Sequence, residues 1–199
     1  MGPDAGRDEA VMGEVARGGR DALAVLVRRH ADALLAFLAR MVGDRHRAEE
    51  LFQEVFLAVW VKRHQYDPGR PFRPWLYAIA LNKCRELWRL RSPAPLPLGG
   101  ARAADPTAAG AAPDDGLLTA ERATLVAEAL ADLPPRQRAV VTLRIWEGMP
   151  YDRIADVVEC TEATVRSHMH HGLAALRKKL GPRLGTPDEQ GPLLKRAIV

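Results

Sequence analysis

Near the C-terminal end, Thr161, Glu162, Thr164, Arg166, Ser167, His170 and His171 crowd into one short stretch. Hydroxyl, guanidinium, imidazole and carboxylate groups of this kind hydrogen-bond base edges or phosphate oxygens. Val165, Met169, Leu173 and Leu176 are interleaved at helical spacing, so the polar set falls on the opposite face of one helix. Ile154, Ala155 and Val158 write an earlier apolar stripe, and Glu159-Cys160-Thr161 interrupts the two. The Thr161 hydroxyl is placed to accept a free N–H of the second helix's first turn. Two short helices with a sharp break are the layout of a helix-turn-helix, whose second helix enters the DNA major groove. The chemistry this supports is recognition, not bond-making. An ordinary core helix also has a polar face. The spacing, the short break and the basic exit Leu176-Arg-Lys-Lys-Leu180 favour the DNA reading.

A second constellation lies upstream. Between Lys62 and Arg91 there are eight Lys and Arg residues and two acids, Asp67 and Glu86, a net +6 that exceeds the +4 of the whole chain. Tyr66, Phe72, Trp75, Tyr77 and Trp88 are interleaved with them. Cations that track a backbone and rings that stack on bases are what a single strand requires. For Trp75 a core position is the better reading, because it falls on an apolar stripe. For Tyr66, Arg70, Arg85 and Arg89 a solvated surface and a nucleic-acid contact stand level on local evidence. Just before this segment, Glu49, Glu50, Gln53 and Glu54 occupy one helix, with Glu50, Gln53 and Glu54 sharing a surface. Such a patch repels phosphate and suits a basic protein surface. Acids favoured near a helix N-terminus account for Glu49 and Glu50, and less well for Gln53-Glu54.

The elements that must position these groups are helical throughout. Leu23, Leu26, Val27, Leu34, Phe37, Leu38 and Met41 form one stripe ended by Gly43. Asp44 caps a second helix that packs with Ala48, Leu51, Phe52, Val55 and Val59. A turn at Pro68-Gly69 precedes a third, which shows Trp75, Leu76, Ile79, Ala80 and Leu87 inward. Beyond the middle of the chain, one helix holds Leu118, Leu125, Val126, Ala129 and Leu130. Another starts at Leu133-Pro-Pro and stops at Gly148. No segment alternates with a strand period, so the class is all-α, two small helical domains. Residues 92–116 are rich in Pro, Ala and Gly and cannot bury enough apolar surface to offset their ordering entropy. They read as a flexible linker between a domain at 20–91 and another at 117–180. Residues 1–19 and 181–199 read as loose ends, the latter too short for a fused sensory domain.

Other classes are disfavoured. Cys84 and Cys160 are too far apart for a disulfide framework or a metal knuckle, which points to a reducing cytoplasm. No run approaches the roughly 18 apolar residues of a membrane span, and the N-terminus lacks a secretion signal's apolar core. His168, His170 and His171 with Cys160 invite a zinc site, but a third ligand must come from across the turn, and DNA-facing histidines explain the cluster more simply. No metal, cofactor or catalytic set is expected.

These blocks resemble the sigma-70 family. Asp44–Phe56 looks like its region 2.2, Phe72–Arg89 like regions 2.3 and 2.4, and Leu133–Arg144 with the helix-turn-helix like region 4. Two domains with a short linker are similar to the extracytoplasmic-function sigma factors. The resemblance implies a protein that binds core RNA polymerase and directs it to promoters, in response to a stress or envelope signal. It implies that Glu50, Gln53 and Glu54 meet the coiled coil of the polymerase β′ subunit. It implies that Tyr66, Asp67, Arg70, Phe72, Asn82, Arg85 and Arg89 handle the minus-ten element, opened to a single strand. Thr161, Glu162, Thr164, Arg166, Ser167, His170 and His171 would then read the double-stranded minus-thirty-five element while the same domain holds the β flap. It allows for an anti-sigma factor as a further partner, with no membrane contact by this chain. Three departures stand out: Glu159 where the turn usually has glycine, Glu86 for aspartate, and Leu81 where arginine is frequent. The competing reading, a regulator of the response-regulator or LuxR type, needs an α/β receiver in place of residues 20–91.

Overall fold

The computed structural model describes residues 5–91 and 115–184. Among these the elements are α1 (Ala5–Ala16), α2 (Arg20–Val42), α3 (Arg45–Val61), a 3-10 turn (Arg63–Gln65), α4 (Phe72–Arg91), α5 (Asp115–Ala131), α6 (Pro135–Ile145), α7 (Tyr151–Val158) and α8 (Glu162–Leu184). No strand occurs among the described residues, so the sheet a receiver domain requires is missing from 20–91. The helices separate into two compact units, α1–α4 in the first and α5, α6 and α8 in the second, with α7 leading into α8 through a short turn. Most of the 92–116 segment lies outside the described residues, and α5 already begins at Asp115.

In the first unit, α2 buries Leu26, Leu34, Phe37, Leu38 and Met41 along one face. Gly43 ends it at φ 72°, its N–H donating to the Ala39 carbonyl. Glycine takes this left-handed conformation without the Cβ clash that disfavours other residues. The Asp44 side chain accepts the Arg47 N–H at 3.0 Å, the cap expected for α3. On α4, Leu76, Tyr77, Ala80, Leu81 and Cys84 are buried, with the Tyr77 ring edge-on to Phe37 at 5.0 Å. Leu81 thus belongs to the core, which removes it as a phosphate contact.

The first correction concerns the N-terminus. Residues 1–19 were expected to be loose, yet α1 packs on α2 and α4, and its Met12 and Val15 are fully buried. Asp8 is buried too. Its carboxylate meets His30 Nε2 at 2.9 Å and accepts from Arg29 at 2.8 Å. Glu9 accepts the backbone N–H of Phe72 at 2.9 Å, satisfying a free donor at the start of α4. The expectation failed because a twelve-residue helix is too short to hold by itself and is ordered by long-range partners.

In the second unit, Pro135 occupies the first turn of α6, where its missing N–H costs nothing. Ala139, Val140, Val141, Thr142 and Leu143 are buried beneath α8, which contributes Val165, Met169, Leu176 and Leu180. Helix α8 continues to Leu184, past the boundary at 180 expected from sequence; residues 185–199 lie outside the description. Gly172 marks the closest approach: a Cβ there would stand 2.7 Å from Val141 Cγ2. Val141 is β-branched and fully buried, so it cannot swing aside. Gly172→Ala gains about 1 kcal/mol of helix propensity and loses roughly 1–3 kcal/mol to overpacking. We expect a net fall in melting temperature, recovered when Val141→Ala is added; unchanged melting would show that α6 and α8 part freely.

Candidate nucleic-acid interface

The turn between α7 and α8 is built by one unusual residue. Glu159 sits at φ 59°, the only non-glycine with positive φ among the described residues. That is the strain anticipated for a glycine position, worth roughly 1–2 kcal/mol. The following Cys160 N–H closes on the Ala155 carbonyl at 3.1 Å. Thr161 then caps α8: its Oγ1 accepts the Thr164 N–H at 3.2 Å and lies 2.8 Å from the Thr164 hydroxyl. Both threonines therefore organise the helix start as well as offering polar atoms outward. Val165 and Met169 are buried on one side, while Thr161, Glu162, Arg166, Ser167, His170 and His171 are exposed and Thr164 half-buried. The structure brings this whole set onto one face. Arg166 pairs with Glu162, and its guanidinium lies over the Tyr151 ring, 4.8 Å from the centroid. The rings of His170 and His171 stand 5.8 Å apart. No group of three His, Cys, Asp or Glu side chains among the described residues is arranged to hold a metal ion.

The upstream segment needs a larger correction. Tyr66 and Phe72, expected to meet bases, are core residues at 6% and 0% exposure. The Tyr66 ring packs on Trp75 at 5.1 Å and on Phe72 at 6.1 Å, and its hydroxyl donates to the Arg70 carbonyl at 2.5 Å. Burial, then the carboxylates of Glu9, Asp67 and Asp8, push the phenol up, so it is un-ionised near neutral pH. Phe72 also faces His30 at 5.4 Å. These rings fix the loop; they do not present themselves. What the loop offers is Asp67, which accepts the Gly69 N–H at 2.9 Å, and the exposed Arg70, 3.6 Å from Asp67. Trp75, expected in the core, is only half-buried. On α4, Asn82 and Arg89 are exposed and Arg85 half-buried, at i, i+7 and i+3 on one side of the helix. Arg85 Nη1 donates to Asn82 Oδ1 at 2.8 Å.

The acidic face of α3 is exposed as expected at Gln53 and Glu54, while Glu50 is half-buried. Its charge is already engaged. Glu50 meets Arg47 at 2.5 Å and His46 at 3.7 Å, and Glu49 meets Arg45 at 3.1 Å. Glu54 meets Lys83 at 3.3 Å, and Lys83 reaches Glu86 at 2.9 Å. The Glu86 hydrogen bond chiefly raises the Lys83 pKa, so the ammonium stays charged at neutral pH. Sequence reasoning missed two members of this face. Leu57 and Val61 are 63% and 66% exposed, at i+4 and i+8 from Gln53. The helical spacing was the available signal: apolar side chains on the Gln53 side cannot also face α2.

Comparison with known proteins fits this geometry. Residues 26–93 match the family description "Sigma-70 region 2" and residues 123–176 match "Sigma-70, region 4". The RNA polymerase sigma factor CarQ of Myxococcus xanthus is 37% identical over 164 residues, 82% of this chain and 92% of CarQ. The ECF RNA polymerase sigma factor SigW of Bacillus subtilis is 28% identical over 84% of this chain and 93% of its own length. Among solved structures, CnrH in complex with the cytosolic domain of CnrY aligns with a TM-score of 0.66 at 28% identity, over 88% of this chain and 97% of that one.

Proposed function

This chain belongs to the extracytoplasmic-function group of the sigma-70 family, and on that premise we propose how its surfaces divide the work of binding core RNA polymerase and directing it to promoters. Glu50, Gln53 and Glu54, extended by Leu57 and Val61, form the face for the β′ coiled coil. The mixture suits it: apolar side chains supply buried area, and the acids select a basic partner. Asp67, Arg70, Asn82, Arg85 and Arg89 handle the minus-ten element, with the half-buried Trp75 as the ring. Tyr66 and Phe72 hold that loop in shape and touch no base. Thr161, Glu162, Thr164, Arg166, Ser167, His170 and His171 read the minus-thirty-five element, and the second unit also engages the β flap. The domain at 20–91, with α1 added, serves polymerase and the minus-ten element, and the domain at 117–180 serves the minus-thirty-five element. The linker acts by making the second contact intramolecular. The chain works in the cytoplasm, where polymerase and promoters are, answers a stress or envelope signal, and catalyses nothing itself; no described helix is long and apolar enough to cross a membrane.

The observation that carries this reading is the capped α8, with Thr161, Glu162, Arg166, Ser167, His170 and His171 exposed above a buried Val165/Met169 stripe. Run-off transcription with core polymerase on a genomic library tests it. Promoter-specific transcripts that depend on the added chain are expected; their absence overturns the reading. Within it, Arg166→Ala should weaken minus-thirty-five binding by roughly 1–3 kcal/mol and relax preference at one base pair. A loss equal on all sequences in a binding titration would reassign Arg166 to phosphate.

A further inference from the structure

Arg166 is held by more than its own helix. Its guanidinium stands over the Tyr151 ring at 4.8 Å while one Nη pairs with Glu162. The same ring carries Arg144, also at 4.8 Å, whose Nη1 donates to the Met149 carbonyl at 3.1 Å just ahead of α7. Tyr151 itself is the first residue of α7 and half-buried. Three elements thus converge on one arginine: the end of α6 through Arg144, the start of α7 through Tyr151, and the first turn of α8 through Glu162.

We propose that Tyr151 is a positioning residue for minus-thirty-five recognition, which holds the Arg166 guanidinium in a fixed plane before DNA arrives. The inference rests on the reading of α8 given above. An arginine carries considerable rotamer freedom, and ordering it on binding subtracts from affinity. A planar guanidinium stacks on an aromatic face, so the ring removes that freedom in the free protein. Glu162 fixes the second direction. Arg144 shares the ring and ties it to the Met149 carbonyl, so the platform cannot drift with α7. A base edge demands a defined in-plane approach from a bidentate donor, which makes orientation, and not charge alone, the quantity at stake. A phosphate would accept the same charge from many directions. The platform therefore acts on discrimination more than on total affinity.

The experiment uses the full chain with core polymerase, titrated onto a promoter selected from the library and onto the same promoter with single base-pair changes in the minus-thirty-five element. Tyr151→Leu removes the ring and keeps an apolar group. It should lower the preference for the selected base pair by about threefold to fivefold, the range of a partly exposed cation–π contact, with the minus-ten contribution unchanged. Tyr151→Phe keeps the ring and should restore the preference. Arg166→Lys keeps the charge without the planar fork and should lose the same preference whether or not Tyr151 is present. If Tyr151→Leu lowers the melting temperature, Arg166→Lys in the native background and Tyr151→Phe supply the two arms. Loss of preference in Arg166→Ala with full preference in Tyr151→Leu would overturn the positioning role and leave the reading of α8 intact. No change in Arg166→Ala would overturn both. Failure of Tyr151→Phe to restore preference would assign the effect to the hydroxyl and also overturn the proposal.

Discussion

Gln53→Ala combined with Glu54→Lys is expected to abolish capture of core polymerase while the far-ultraviolet circular dichroism of the chain stays unchanged. Both side chains are exposed, so nothing in the fold depends on them beyond the Glu54–Lys83 ion pair at 3.3 Å. An exposed pair of this kind is worth about 0–1 kcal/mol. At an interface the same reversal is far more costly, because it sets a cation against a basic partner. A close charge pair there contributes on the order of 2–5 kcal/mol, enough for a loss of roughly thirtyfold or more. The new lysine would also face Lys83 directly, which turns an attraction within the chain into a repulsion. Leu57→Ser probes the apolar half of the face independently: with the side chain already in water, folding should be indifferent and polymerase affinity should fall. Unaltered affinity for core polymerase in both variants, measured by pull-down or titration, would remove α3 from the interface. Lost helicity would instead make these residues structural.

The second large effect is expected at α1. Met12→Ala should destabilise the first unit by about 2–5 kcal/mol, the cost of emptying a buried site of that size. A chain begun after Ala16 should lose the cooperative unfolding of that unit. Met12 and Val15 are fully buried, and Asp8 satisfies both His30 and Arg29 in a setting nearly closed to water. Removing Asp8 leaves the buried His30 Nε2 without its hydrogen-bond partner, a loss of roughly 1–3 kcal/mol. Small domains hold only about 5–15 kcal/mol in total. Urea unfolding gives the stability, and hydrogen exchange at the first turn of α4 reports the Glu9–Phe72 bond in particular. An unchanged midpoint and slope in the shortened chain would show α1 to be an ornament.

Much of the fold was legible from local signals. Asp44 and Thr161 cap the helices their positions announced, Gly43 ends α2 in the left-handed region, and Pro135 opens α6. The strain at Glu159 was likewise readable, because a helix-turn-helix turn asks for a residue that accepts positive φ. The exposed polar face of α8 was legible for the same reason: periodicity alone separates Arg166 and His170 from Val165 and Met169. What the sequence withheld was long-range. An aromatic residue beside arginines looks the same whether it stacks on a base or on another ring. Tyr66 packs on Phe72 and Trp75, and Phe72 in turn meets His30 and, through its backbone N–H, Glu9, both far away in the chain. Trp75 erred in the opposite direction, since an apolar stripe does not say how deeply its edge is sunk. The acids of α3 looked freer from sequence than they are, because the pairing of Glu54 depends on where α4 brings Lys83.

That lysine has a further bearing. Lys83 divides its charge between Glu54 on α3 and Glu86 on α4, while its neighbours Asn82 and Arg85 sit on the side assigned to the minus-ten element. When a basic partner takes Glu54, Lys83 is left with one carboxylate in place of two, and the potential along α4 becomes more positive. On the roles proposed for α3 and α4, polymerase would thereby make the same helix a better host for phosphate. Thermodynamic reciprocity then requires that promoter DNA tighten the hold on polymerase by the same factor. A single shared side chain would in this way make the two ligands cooperative, with no movement of the backbone.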